Sequence, residues 1–206
     1  MYKRQAWSWP GEANTAARLE AFVESIRVAT GGNTPIGITL PMGATDDDLV
    51  RCLAAGVDFL TLVANKNFGF DHLALHGISG ARDTCIAQGQ DNLPIVIDAP
   101  LLHPKQLLIC LALGASAVGI DAVLSPLIKN LTEVPKSIGT GMLKGIAVAP
   151  PPDMLDDVAE MLTRLESDLE DQLLLSGVSH VSKLDRSCLR AISQDIGRIC
   201  GVQTLE

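Results

Sequence analysis

The chain has 206 residues, a formal net charge of −8 and 47% hydrophobic residues, with aromatics making up only 3%. That length suffices for one domain with a full core, and the hydrophobic share suits a buried parallel sheet. An acidic balance without a Lys/Arg cluster argues against a nucleic-acid or anionic-membrane surface, the scarce aromatics leave no stacking platform for bases, and no apolar run is long enough to span a bilayer as a helix.

Met1-Tyr2-Lys3-Arg4-Gln5 resembles the in-frame translation of a transposon end used in sequencing libraries, read from a GTG start. Residues 1–5 are therefore expected to be a non-native scar, and if so the chain is cut at its N-terminus; the sequence leaves open whether the native gene extends upstream of residue 6. No secretory signal is visible. From Asn14, a candidate N-cap, an amphipathic helix is expected to run to Thr30, with Leu19, Phe22, Val23 and Ile26 on one face and Gly31-Gly32 as its stop. Pro35 to Leu40 reads as the first strand. Thr45-Asp46-Asp47-Asp48 then caps and charges the start of a helix carrying Leu49, Val50, Cys52 and Leu53, and Val57 to Val63 is the second strand.

Ala64 to Gly80 is polar and glycine-containing, and reads as a βα loop. Asp71, His72 and His76 within it invite a metal reading, because histidines at i and i+4 share a helix face; the competing reading is a short loop helix with exposed imidazoles, and no third ligand stands at a recognisable spacing. A helix is expected from Gly80 to Gln90. Pro94 to Ile97 is a short β-branched run ending at Asp98-Ala99-Pro100, and His103-Pro104 opens a helix in which Leu107, Leu108, Cys110, Leu111 and Leu113 are apolar almost all round. Gly114 stops it, and Ala115 to Ile120 is the fourth strand.

After Ala122 to Ile128 the pattern weakens. Lys129 to Ala149 reads as a long connection with Ile146-Ala147-Val148 as a short extended piece, and Pro150-Pro151-Pro152 as a stiff break. Asp153 to Leu175 is a long acidic amphipathic helix, Ser176-Gly177 its stop, and Asp185 to Cys200 a second tail helix. The five cysteines, Cys52, Cys85, Cys110, Cys188 and Cys200, form no CxxC pair; they are expected to be free thiols, several of them on buried helix faces, in a reducing, cytoplasmic setting.

One phrase occurs twice. Leu53-Ala54-Ala55-Gly56-Val57 to Leu62 has the helix end, glycine and strand that Leu111 to Ile120 has, and the two glycines are 58 residues apart (114 − 56). That is about two βα units of roughly 30 residues each. The repetition predicts a parallel α/β layout with right-handed crossovers, and fits a barrel or an open sheet equally.

These phrases, together with RVATGGNTPIGITL, LPIVID, LLLSGVSHVSKLDRSCLRAI and IGRICGV, resemble the last four strands and the helical tail of the flavin-binding (βα)8 barrel of the glutamate synthase-like family. The resemblance implies a partial (βα)8 barrel over residues 6–149, a helical extension over 150–206, and an inherited FMN-dependent oxidoreduction in glutamate formation. Its chemistry would sit at the C-terminal ends of the strands. There Asp98 and Gly119 match the family's cofactor-binding positions, but other positions depart. Thr39 stands where the family presents a lysine to the flavin ring. Ala64-Asn65-Lys66-Asn67-Phe68 replaces a glycine-threonine-glycine loop, Ala99-Pro100 replaces a glycine pair offering amides to the phosphate, and Asp121 brings a carboxylate to a dianion site. No counterpart of the family's iron–sulfur cysteines lies between Lys129 and Asp153.

The expectation is thus a shortened family member whose FMN site is degenerate and which lacks an iron–sulfur cluster. Two alternatives stand beside it: a non-catalytic half-barrel that pairs with a partner, and a phosphosugar barrel enzyme using His103 and Lys105, residues that an exposed helix start also commonly carries. Four βα units leave edges at Ile36 and at Ala117 to Ile120, and an inner face with Ile36, Phe59, Ile95 and Val118 expected to lie open. Either a missing N-terminal half-barrel or a second copy in a homodimer is expected to cover it.

Overall fold

A computed structural model describes residues 15–64, 72–101, 103–120 and 152–205. Expectations that fall on residues 1–5, Asn14, the loop 65–71 with Asp71, or residues 121–151 with Asp121 lie outside the described residues. Helix α1 (Ala16–Ala29) precedes β1 (Gly37–Pro41), followed by α2 (Asp46–Ala54), β2 (Phe59–Val63), α3 (His72–Ala87), β3 (Ile95–Asp98), α4 (Pro104–Ala112) and β4 (Ala117–Val118). The tail holds α5 (Pro152–Leu175), two 3-10 turns (Val181–Lys183, Arg186–Cys188) and α6 (Gln194–Cys200).

The four strands form one parallel sheet in the order β1-β2-β3-β4. Sequential neighbours joined in the same direction, with crossovers of the usual right hand, place the connecting helices on one side, the arrangement of a partial (βα)8 barrel. The register shows it residue by residue. Ile38, Leu60 and Ile95 share a row, as do Leu40, Leu62, Ile97 and Val118. Leu40, Leu60, Leu62, Ile95 and Ile97 are all at most 1% exposed, packed with Leu49, Cys52 and Leu53 of α2, Ile78 and Cys85 of α3, and Leu107 and Cys110 of α4. The alternate rows, Gly37 with Phe59, Thr39 with Thr61, Val96 and Ala117, and Pro41 with Val63 and Asp98, are exposed or half-exposed.

The inner face expected from sequence is corrected accordingly. Phe59 belongs to the open face, whereas Ile36 and Ile95 are buried and Val118 is in register with Ile97 on the helix side. Strand residues alternate faces with period 2, and the expected set, Ile36, Phe59, Ile95 and Val118, mixes the two parities. Phe59 lies across Gly37, where a Cβ would come within 2.2 Å of the ring, so a larger residue there would have to push the Phe59 side chain aside.

Other boundaries shift for identifiable reasons. Helix α3 begins at His72, not Gly80: Ala74, Ile78, Ala81 and Cys85 all reach the core at helical spacing, and Gly77 is where the helix crosses the Met42 carbonyl, which a Cβ would approach to 2.2 Å. The expected helix from Asp185 to Cys200 divides, because Asp185 caps one 3-10 turn (Ser187 N–H, 2.8 Å), Ala191 bridges to Thr204, and Ser193 caps α6 anew (Ile196 N–H, 3.3 Å). Helix α1 is capped by Thr15, and Phe22 is 47% exposed while Leu19 and Val23 are buried. Strand β4 is shorter than expected, although Ser116 and Gly119 extend its ladder by donating to the Ile95 and Ile97 carbonyls at 2.7 Å each.

Polar staples gather at the N-terminal ends of the strands. The Arg82 guanidinium donates to the carbonyls of Gly114 (2.6 and 2.9 Å), Asp91 (2.6 Å) and Leu93 (3.2 Å), tying α3 to the entrances of β3 and β4. Gly114, at φ +111°, leaves the space this needs, since a Cβ there would come within 2.6 Å of Arg82. The Asp58 carboxylate accepts from the Ile36 N–H (2.7 Å) and from Arg27 (3.1 Å), which also reaches the Gly56 carbonyl (2.9 Å). The tail is fastened from outside: α5 lies against α4 and α6 against α3, with Arg186 bonded to the Ser79 carbonyl (2.9 Å) and Asp83 (2.8 Å).

Two outcomes test these staples. Arg82→Ala removes charge-assisted bonds to part-buried carbonyls and is expected to cost about 2 kcal/mol in urea unfolding. The Ile36 amide first, and Arg27 with it, hold the Asp58 carboxyl below the usual carboxylate range. Its folded value lies below its unfolded one, so its contribution is full above the unfolded value of about 4 and is lost as pH falls through the folded value. The stability difference between wild type and Asp58→Asn should be constant at neutral pH and shrink on acidification below about pH 4; a difference that grows there would contradict this placement.

Candidate functional site

In a parallel barrel the groups free to do chemistry stand at the C-terminal rim of the strands. Here the ladder continues past each strand end: the Met42 amide donates to the Val63 carbonyl (3.0 Å), the Ala64 amide to the Asp98 carbonyl (2.8 Å) and the Gly119 amide to the Ile97 carbonyl (2.7 Å). These bonds hold the rim backbone level with the sheet. Gly77 of α3 closes on Met42 from outside, fixing the β1–α2 connection.

Of the residues singled out from sequence, the structure brings Asp98 and Gly119 together. A Cβ on Gly119 would stand 3.9 Å from the Asp98 Cα and 3.4 Å from the Ile97 carbonyl oxygen. Those are ordinary contacts, so crowding does not demand the glycine. Asp98 is exposed, and its side chain lies on the open face in the row of Pro41 and Val63. Thr39 lies one row deeper on that face, level with Thr61, Val96 and Ala117, and no ionisable group stands in the row.

After Asp98 the chain turns at once. Ala99 is buried, the Leu101 amide donates to the Ala99 carbonyl at 2.7 Å, and Leu101 is fully buried, so this turn is tied to the core through two of its side chains. His103 and Lys105 stand exposed at the start of α4, where the His103 amide donates to the Gln106 side chain (3.1 Å). His72 and His76 are exposed on α3, and among the described residues no group of three His, Cys, Asp or Glu is placed to hold a metal ion. All four histidines, His180 included, are exposed.

The cysteines stand apart from the rim chemistry. Cys52, Cys85, Cys110 and Cys200 are buried and Cys188 is half-buried, all free. Burial pushes the Cys52 and Cys110 thiols up to about 12 and raises those of Cys85 and Cys200, since desolvation disfavours the thiolate. Arg82, Arg27, Asp58 and Gly77 went unremarked in the sequence reading. The available signal was an arginine inside an otherwise apolar helix and an aspartate directly before a buried strand.

No family model matches the sequence, and no curated protein does. Among solved structures the chain resembles a doubly substituted flavocytochrome b2 with pyruvate bound, at 15% sequence identity and a TM-score of 0.53. The likeness covers 79% of this chain and 36% of that one, so the chain spans about a third of the length of the structure it matches. At that identity the likeness establishes the fold. Among the described residues no helix is long and apolar enough to cross a membrane.

With four thiols buried and protonated, only Cys188 is expected to react quickly with a thiol reagent at pH 8 in the native protein. The other four should react only on unfolding. Mass spectrometry of the alkylated protein identifies the site, and rapid labelling of Cys52 or Cys110 would contradict their burial.

Proposed function

We propose that the chain is the C-terminal half of a flavin-barrel oxidoreductase of the glutamate synthase-like type, in which this half no longer supplies the contacts that hold FMN. The fold shared with a flavocytochrome supports the flavin-barrel part, and the strand and tail phrases of the sequence support the finer assignment. The observation that carries the degenerate site is the direction of Thr39. It faces the open side of the sheet, in a row without a cation, so replacing a lysine there removes positive charge from the place where a reduced flavin would need it. Ala99-Pro100 adds to this, because proline has no amide to offer a phosphate and Ala99 is committed to the core.

The phosphosugar reading has less support. His103 and Lys105 are both exposed in one helix turn, and the rim nearby carries the Asp98 carboxylate.

Titration of the purified chain with FMN at low salt should show no saturable fluorescence quenching at micromolar concentration. Saturable quenching there would overturn the proposal. The variant Thr39→Lys with Ala99→Gly and Pro100→Gly restores a cation and an amide donor, and is expected to tighten FMN binding by about tenfold or more.

A further inference from the structure

The end of the tail meets the α/β body at two places. At the first, Val178, Leu184 and Cys188 pack with Leu173 of α5 on Leu108 and Leu111 of α4, as a small apolar cluster separate from the main core. At the second, α6 lies on α3: Cys200 is 3% exposed, and Ile196 and Ile199 pack against the core. Arg186 stands between the two. Its guanidinium bonds both carboxylate oxygens of Asp83 (2.8 and 3.1 Å) and the Ser79 carbonyl (2.9 Å), while the buried Ser79 hydroxyl lies 3.3 Å from the Ile199 carbonyl oxygen.

The same segment is closed on itself. The Ala191 amide donates to the Gln203 carbonyl (2.8 Å), the Leu205 amide to the Ala191 carbonyl (3.0 Å) and the Val202 amide to the Gly197 carbonyl (3.0 Å). A Cβ on Gly197 would come within 2.8 Å of Thr204, and one on Gly201, the left-handed cap of α6, within 3.1 Å of Arg186. Helix α6 has only seven residues, too few to persist alone in water, so it keeps its form through this closure and its seat on α3.

We infer that residues 178–205 are a clasp across the last two βα units, which opens as one unit while the four strands and helices α1 to α4 stay folded. A segment joined to its neighbours by one small cluster and one charged fork opens at lower cost than a layer sealed on a sheet. The boundary between the two is visible on α3. Ser79 and Asp83 take the clasp, whereas Ala74, Ile78, Ala81 and Cys85 recur at helical spacing on the face turned to the core. Cys52, Cys85 and Cys110 are fully buried in the layer between the sheet and helices α2 to α4, and Cys200 belongs to the clasp. The buried thiols therefore divide by what must unfold to expose them. Helix α3 also carries Gly77, which meets the Met42 carbonyl at the rim, so the clasp closes on the element that fixes the β1–α2 connection. None of this depends on whether the rim holds a flavin.

Time-resolved alkylation of the full chain at pH 8, read by mass spectrometry at each cysteine, is the test. After Cys188, Cys200 is expected to be labelled next, through opening of the clasp alone, with Cys52, Cys85 and Cys110 following together and much later. Arg186→Gln removes the charged fork and should speed labelling of Cys200 about tenfold or more, leaving the rates at Cys52 and Cys110 unchanged. Should Arg186→Gln fail to fold, Asp83→Asn weakens the same fork from a carboxylate that is 56% exposed, and should move Cys200 in the same direction. Labelling of Cys200 in step with Cys52 and Cys110 in the unaltered chain would overturn the inference. So would a folded variant that speeds all four buried cysteines equally, or one that leaves Cys200 unchanged.

Discussion

The described fold follows from one topological constraint: four strands added in sequence, all parallel, each beside the last and in one direction. Each crossover then deposits its helix on the same side of the sheet, so one set of strand residues is sealed and the alternate set is not. The contrast is visible within single strands. In β2, Leu60 and Leu62 are at most 1% exposed while Phe59, Thr61 and Val63 between them remain half-exposed. An open sheet wound in both directions would have covered both. The constraint seals one face with helices and, by the same step, leaves the other face uncovered by the described residues.

Stability and chemistry are separated along the strand axis. At the N-terminal ends Arg82, Arg27 and Asp58 bond to backbone groups of neighbouring units and lock the order of the helix-to-strand turns. Arg186 and Ser79 fasten the tail from outside, the Ser79 hydroxyl reaching the Ile199 carbonyl at 3.3 Å. The C-terminal rim is held by ladder bonds of the backbone, which do not depend on which side chains stand there. Exposed rim side chains such as Asp98 can therefore change at little cost to the scaffold, whereas Met42, Ala64, Ala99 and Leu101 are buried in the core.

Much of the fold was legible because its punctuation is backbone chemistry. Gly56 and Gly114 both adopt positive φ, +73° and +111°, directly before a strand, as the repeated phrase requires. Pro104 opens α4 and the Thr45–Asp48 capping box opens α2, where the sequence placed them. What failed was information the local pattern does not hold. Gly77 and Gly80 looked like loop residues, but Gly77 is a contact glycine inside α3, set by a carbonyl from another unit. The inner face was misread because a short all-apolar strand such as Ile95-Val96-Ile97 does not announce which parity faces the helices; only the register with Thr39 and Thr61 decides it. At the candidate site, Asp98 and Gly119 were found as neighbours, whereas the direction of Thr39 needed the pairing of β1 with β2.

The proposed degenerate flavin site and the intact scaffold are consistent because they rest on different atoms. The positions that depart from the flavin-barrel pattern and are described here, Thr39, Ala99 and Pro100, make none of the staple contacts, which come from Arg82, Asp58 and Arg27. In the proposed reading, threonine in place of lysine at position 39 also leaves the middle row of the open face without a charge. A lysine there would have to be neutralised or solvated in a closed barrel; a threonine presents a hydroxyl and a methyl group of modest size. An uncharged threonine at that position is thus consistent both with the proposed loss of a cofactor contact and with a face that carries no charge in its middle row.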